Sequence, residues 1–188
     1  LTVLSYHFYG WWNPRLVFLM LGSTIVDYAC GGVISQEGQT PSRKKGALWI
    51  SISVNLLSLG FFKYALFFSG NLEMVTSWLG WERLPAPEFL SQIVLPGGIS
   101  FYTFQSMSYS SDLYRGDARP ARSFVEFACY VSMFPQLVAG PIVRYASIAD
   151  QLQSRPHTQE GFVIGLTRFN FGFAKKILLA NPMGQIAD

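Results

Sequence analysis

Charge is what this sequence has least of. Only 13% of its 188 residues are Asp, Glu, Lys or Arg, where a soluble domain carries about a quarter. Half of the residues are apolar, 16% are aromatic, and the apolar ones come in long blocks. That pattern excludes an ordinary soluble core and points to a chain built for the bilayer. Cysteine is scarce too: Cys30 and Cys129 stand inside apolar blocks, with no CxxC pair and no Cys/His cluster. Their setting excludes a disulfide framework and a zinc or other metal site, and predicts two buried free thiols. Internal repeats are absent. The chain opens at Leu1 in mid-hydrophobic sequence, with no basic n-region or cleavage site, so it reads as a fragment cut into a helix and not as a signal peptide. The net charge of +3 comes from small basic clusters between apolar blocks. Such clusters suit loops at a cytoplasmic membrane face and exclude a nucleic-acid partner.

The blocks themselves come next. Leu1–Trp12 reads as the tail of a helix that ends in Tyr6, Tyr9, Trp11 and Trp12, an aromatic belt at headgroup level. Asn13-Pro14 supplies an N-cap and a proline fit for the first helical position. Leu16–Ile34 is a complete span, since about 20 residues cross a bilayer core of about 30 Å. Ser35–Lys45 follows with Arg43, Lys44 and Lys45, and reads as cytoplasmic. Gly46–Ser69 is a second span, and Gly70–Gln92 a loop or interfacial segment on the outer side. The third span, Ile93–Ser111, opens on Pro96-Gly97-Gly98 and carries Ser100, Thr103, Gln105, Ser106, Ser108, Ser110 and Ser111. So many polar groups predict a helix that faces protein or water, although any single hydroxyl can bond back to its own helix. Asp112–Arg122 is basic again and reads as cytoplasmic.

A conflict of topology then arises. Phe124–Ala139 holds Glu126 and Pro135 and has only about 16 residues, short for a span. Were it to cross, Arg144, Arg155, Arg168, Lys175 and Lys176 would all lie outside, against the bias of basic residues toward the cytoplasm. A re-entrant or broken helix resolves the conflict, with FPQLVAGPIVRY (Phe134–Tyr145) lining a cavity open to the cytoplasm. Irregular backbone at membrane depth is tolerated only where protein or trapped water satisfies it. The alternative is a short tilted span that its proline and glycine merely kink. Gly161–Asp188 reads as a helix along the interface, with a break at Asn181-Pro182. Asp27 and Lys63 are lone charges inside the first two spans. Measured from the loop that joins those antiparallel spans, their backbones differ in depth by roughly 14 Å, too far for a direct pair. Lys63 therefore snorkels toward the outer interface beside Tyr64. Asp27 needs another partner, and a structural hydrogen-bonding role is expected.

Five blocks in order carry a family likeness: SYHFYGWWNPRLVFLMLGSTIVDY (Ser5–Tyr28), GFFKY (Gly60–Tyr64), LPGGISFYTFQSMSYSSDLYRG (Leu95–Gly116), YVSMFPQLVAGPIVRY (Tyr130–Tyr145) and GFAKKILLAN (Gly172–Asn181). Together they resemble the membrane-bound O-acyltransferases, in the bacterial branch of alginate O-acetylation and of D-alanyl transfer to teichoic acid. The last block departs from the pattern in lacking an acidic residue near Asn181. The resemblance implies an all-α, polytopic integral membrane bundle, part of a ring of helices around a catalytic tunnel, with residues 1–188 as the N-terminal part of one domain. It implies an O-acyltransferase of the bacterial inner membrane that passes acetyl from a cytoplasmic donor such as acetyl-CoA, a substrate and not a bound cofactor, toward an exported polysaccharide such as alginate, with periplasmic acetyltransferase partners. A base is needed because a sugar hydroxyl is a poor nucleophile while it keeps its proton. The family's histidine lies in the C-terminal half, beyond residue 188. His7 and His157 do not match its motif, so no catalytic residue is assigned. Gln136, Gly140, Pro141 and Arg144, with Asp112 and Arg115 beside them, are candidates for a cytoplasmic vestibule. Arg144 or Arg115 can meet the phosphates of an acyl-CoA donor, or can pair with Asp112, Asp117 or Asp150. A transporter or an acyl conduit serving a separate transferase is the competing reading, since transporters also place discontinuous helices at their binding sites.

Overall fold

A computed structural model describes residues 1–79, 97–139, 142–153 and 157–187. It is all-helical among the described residues. The chain divides into two units, Leu1–Leu152 and Gln153–Asp188. The first contains α1 (Thr2–Trp12), α2 (Pro14–Ser35), α3 (Pro41–Trp78), α4 (Ile99–Arg115), α5 (Phe124–Ser132) and α6 (Phe134–Ala139), and ends in α7 (Tyr145–Gln153).

Local chemistry sets these bounds. The Asn13 side chain accepts from Arg15 N–H at 3.0 Å, with Pro14 at the first helical position of α2. The second span is longer than its apolar block. It starts at Pro41 and runs to Trp78, so the first part of the segment read as an outer loop is helix. The third span is shorter, because Gly98 adopts φ +75 and α4 begins only at Ile99. A Cβ at Gly98 would stand 2.8 Å from the Leu137 carbonyl oxygen, so both its conformation and its contact require glycine. Pro96 lies outside the described residues. At the far end of α4, Gly116 takes φ +80, and Asp117 N–H reaches back to the Asp112 carbonyl at 2.8 Å, closing the helix in a Schellman turn. Two helices, Pro14–Ser35 and Pro41–Ala65, are long and apolar enough to cross a membrane.

α2, α3 and α4 pack on one another, and α1 packs against α2, α5 and α6. Ser51 of α3 bonds both Asp27 of α2 and Ser110 of α4. From that shared level, roughly 8 to 15 Å of helix leads to the C-termini of α2 and α4 and to the N-terminus of α3. The two basic links, 36–40 with Arg43, Lys44 and Lys45 after it, and 116–123 with Arg119 and Arg122, therefore share one end of the bundle. Of the two thiols, Cys30 is buried and Cys129 only half-buried.

The second unit carries α8 (Gln159–Lys175), a π-helical turn (Lys176–Ala180) and α9 (Asn181–Ala187). The break expected at Asn181-Pro182 is replaced by that turn. Pro182 has no N–H for an ordinary helical bond, and the widened turn lets the Asn181 N–H reach the Lys176 carbonyl so that the helix continues. His157 precedes this unit's first helix as irregular chain.

Candidate functional site

One interruption falls a residue before FPQLVAGPIVRY, and within the motif residues 142–144 are irregular chain. α5 ends at Ser132, Met133 turns out of helical geometry (φ −57, ψ 102), and α6 starts at Phe134. Pro135 explains the place. Carried on without a break, α5 would drive the proline ring into the Val131 carbonyl, whereas a proline in the first turn of a new helix is tolerated. The Met133 carbonyl then accepts from Gln136 N–H at 3.0 Å and starts α6.

The segment also doubles back. α5 begins at the basic end, where Ser123 caps it by accepting from Glu126 N–H and the Phe124 ring meets Tyr28 at 5.6 Å. α6 reaches the opposite end of α4, where Leu137 touches Gly98. The return brings Val143, Arg144 and Tyr145 to the starting level. The Tyr130 hydroxyl donates to the Val143 carbonyl at 2.8 Å, the Tyr145 hydroxyl donates to the Glu126 carboxylate, and Arg144 stands 4.0 Å from Asp112. Entry and exit are thus tied together. Gly140 and Pro141 fall outside the described residues.

One face of α4 receives this segment. Tyr102, Gln105, Tyr109 and Asp112 recur at helical spacing. The Gln105 amide donates to Gln136 Oε1. Tyr109 packs on Phe127 and Tyr145, at ring-centre distances of 4.4 and 5.0 Å, and its hydroxyl accepts from Ala121 N–H. Asp112 is 4% exposed at its side chain and Arg144 64%, so the acid is fixed and the arginine is not. Of the sequence candidates, Gln136, Arg144 and Asp112 therefore gather along one seam. Arg115 does not: it is exposed at the end of α4 and makes no side-chain bond among the described residues. Tyr145, outside any candidate span, keeps its hydroxyl proton above the usual tyrosine range, through burial first and the bond to Glu126 second.

Another face of α4 is tied to α3, and through it to α2. Asp27, 0% exposed, accepts from Ser51 Oγ at 2.6 Å and from Asn55 Nδ2 at 2.8 and 2.9 Å, while Ser51 shares a bond with Ser110 at 2.8 Å. The hydrogen-bonding role expected of Asp27 is what the structure shows, with its donors on α3. Ser51 and Asn55 escaped notice in the sequence, although they are polar residues four apart in an apolar block, at the depth of Asp27. Lys63 lies over its neighbour Tyr64, 5.4 Å from the ring centre. His7 is exposed and packs edge-on to Trp11. Among the described residues no three His, Cys, Asp or Glu side chains converge as a metal would require.

The described residues thus form a helical bundle with two helices long and apolar enough to cross a membrane, polar groups turned inward and a broken helix tied at both ends. Comparison with curated proteins goes further. Over all 188 residues the chain is 38% identical to the probable alginate O-acetylase AlgI of Pseudomonas syringae pv. tomato and covers 36% of it. The corresponding protein of Pseudomonas aeruginosa is 39% identical over the same residues, which are 35% of its length. The peptidoglycan O-acetyltransferase of Helicobacter pylori is 29% identical over 216 aligned positions, 39% of that protein. The chain thus spans little more than a third of the length of the curated relatives it matches. No family model and no solved structure matches it. The resemblance to the alginate O-acetylation branch of the membrane-bound O-acyltransferases holds along the whole chain.

Proposed function

We propose that the protein to which these residues contribute is a multi-pass O-acyltransferase of the bacterial inner membrane. It acetylates an exported polysaccharide such as alginate, moving acetyl from a cytoplasmic donor such as acetyl-CoA toward the periplasmic side. The observation that carries this reading is the likeness of all 188 residues to relatives named O-acetylases. Those names favour an enzyme over a transporter or conduit.

In this reading α5 and α6 re-enter the membrane from the cytoplasm, and the seam between them and α4 is one wall of the donor vestibule. Gln136, Arg144 and Asp112 line it, with Arg115 at its rim, and Gly140 and Pro141 stay candidates on the sequence alone. Two observations support the placement: the basic links share the end at which the segment enters and leaves, and Lys and Arg mark the cytoplasmic side. Arg144 is suited to a donor phosphate because guanidinium offers paired donors to an anion. The exported glycan and periplasmic acetyltransferases complete the set of partners. The test is deletion of the gene for the whole protein, with O-acetyl groups on the exported polysaccharide counted by NMR. Loss of acetylation, restored by the intact gene, is expected; unchanged acetylation overturns the reading.

A further inference from the structure

Between α2 and α3, near the basic end of the bundle, lies an open groove of about 430 Å³. Ala29 and Val33 of α2 line one side, Gly46 and Ile50 of α3 the other, and Arg43 and Gln39 stand at its mouth. Arg43, Gly46 and Ile50 recur at helical spacing. One face of α3 therefore passes from a guanidinium, over bare backbone, to an aliphatic side chain within roughly 10 Å. Gly46 keeps that face open. It lies inside a helix, where glycine is less favourable than alanine. Yet a Cβ there would meet nothing within 4 Å, so no packed neighbour among the described residues requires its absence.

Charge is ordered along the same line. The side chains of Arg43, Lys44 and Lys45 form no hydrogen bond or ion pair among the described residues. Glu37 is the one acid between residues 36 and 45, so this stretch carries a net charge of +2. Gln39 gives one amide hydrogen to Gln36 at 2.8 Å and has a second to offer. The N-terminus of α3 adds the positive end of a helix dipole. Below the mouth, Val33 and Ile50 are 37% and 55% exposed, on the two helices long and apolar enough to cross a membrane.

We propose that this groove seats one anionic phospholipid from the leaflet at the basic end. Its phosphate meets Arg43 and Gln39, and one acyl chain lies along Gly46 and Ile50 against Ala29 and Val33. A phospholipid has the required order, with an anionic group at the membrane surface and hydrocarbon directly beneath it. Lys44 and Lys45 point away from the Arg43 face and act through the local potential, which favours a headgroup of net negative charge over a zwitterionic one. The inference goes beyond the acyltransferase reading and does not depend on it, since its readout is bound lipid and not acetyl transfer.

The test uses the full-length protein in detergent, titrated with dioleoyl-phosphatidylglycerol and, in parallel, with dioleoyl-phosphatidylcholine. Bound lipid is counted by native mass spectrometry. The wild type is expected to hold one phosphatidylglycerol about tenfold more tightly than any phosphatidylcholine. Gly46→Leu, whose side chain enters the groove, is expected to abolish that tight adduct, and Gly46→Ala to keep it. Arg43→Gln is expected to remove most of the preference. Equal affinity of the wild type for the two lipids overturns the proposal. So does an undiminished adduct in Gly46→Leu, which would put the lipid elsewhere. A second measurement needs no variant. Phosphatidylglycerol carrying a diazirine midway along one acyl chain is expected to cross-link the wild type within residues 29–33 or 46–50, in competition with the unlabelled lipid. Cross-links confined to other segments overturn the proposal, the outcome if another helix of the full protein fills the groove.

Discussion

Asp27 and Asp112 are both buried, on neighbouring helices of one bundle, yet only Asp27 has both carboxylate oxygens bonded. Its partners are a serine and an asparagine, neutral side chains on α3 as buried as itself. Asp112 has one oxygen unpaired and the other 4.0 Å from an arginine that is mostly in solvent. The same side chain thus serves two ends. Asp27 joins α2 to α3, and through Ser51 to α4, and so fixes which face α4 turns toward the doubled-back segment. Asp112 sits on that face with capacity to spare. A saturated buried acid is structure, and a half-satisfied one beside a free cation is where a ligand can act.

The comparison breaks outright if the two ends of the doubled-back segment open on different sides of the membrane. Cysteine at Ser147, just after the return, is expected to react with a membrane-impermeant maleimide only from the cytoplasmic side, in inverted vesicles and not in intact cells. The effect is all or none. Labelling from outside would mean that Phe124–Ala139 crosses, and the seam at Asp112 would lose its return limb.

Next in size is Asp27→Leu. It removes the acceptor for Ser51 and Asn55 and leaves their buried donors unpaired, at a cost of about 1–3 kcal/mol each. A loss of about 3 kcal/mol in unfolding free energy is expected for the full protein in detergent. The double exchange Asp27→Asn with Asn55→Asp, which restores one carboxylate facing one amide, is expected to recover most of it. No recovery would mean that the cluster works by something other than this pairing.

How far these features were legible in the sequence differs between the two aspartates. For Asp27, depth arithmetic along two antiparallel spans excluded Lys63 and left its partner open between a hydroxyl and a helix beyond these residues; Ser51 supplies the hydroxyl. Asn55 was missed because a lone asparagine in an apolar block does not declare its partner. For Asp112, the polar run of α4 and the break near Pro135 were both visible, since proline geometry and counts of basic residues act through local rules. The pairing of Gln105 with Gln136, and the tyrosines that clamp the segment, were not visible: each depends on which residues meet after the chain has turned back, which no local rule specifies. The excess length of α3 was hidden for a similar reason. Its ends are too polar to count as span, yet after Pro41 at its first position it holds no proline through Trp78.

Tyr145→Phe comes third. The hydroxyl ties the return limb to Glu126 at the entrance of the segment, and a bond to a half-buried carboxylate contributes about 1.5 kcal/mol. Thermal unfolding should report a loss of that order, with faster proteolysis after Arg144. The pH dependence has a definite sign. The folded protein holds the Tyr145 proton more tightly than the ordinary value of 10, so the stabilisation is complete below about pH 10 and drains away as the pH rises past it. The gap between wild type and Tyr145→Phe should be constant to about pH 10 and shrink above. A gap that widens there would contradict the assigned direction of the bond.

The smallest effect on stability is the most informative about the seam. Arg144 is 64% exposed and only 4.0 Å from its acid. Screened pairs of this kind contribute about 0–1 kcal/mol, so Arg144→Ala should leave the unfolding temperature within error of the wild type. Its kinetic signature should differ sharply: a raised KM for the donor with kcat little changed, an effect that fades as salt screens the phosphate from the guanidinium in the wild type. Asp112→Asn should do the reverse. Freed from its acid, Arg144 is expected to hold an anionic donor at least as well as before, with no gain for a phosphate-free one. If Arg144→Ala instead destabilised the protein by several kcal/mol, the arginine would be a buried strut like the partners of Asp27, and the contrast between the two aspartates would lose its functional meaning.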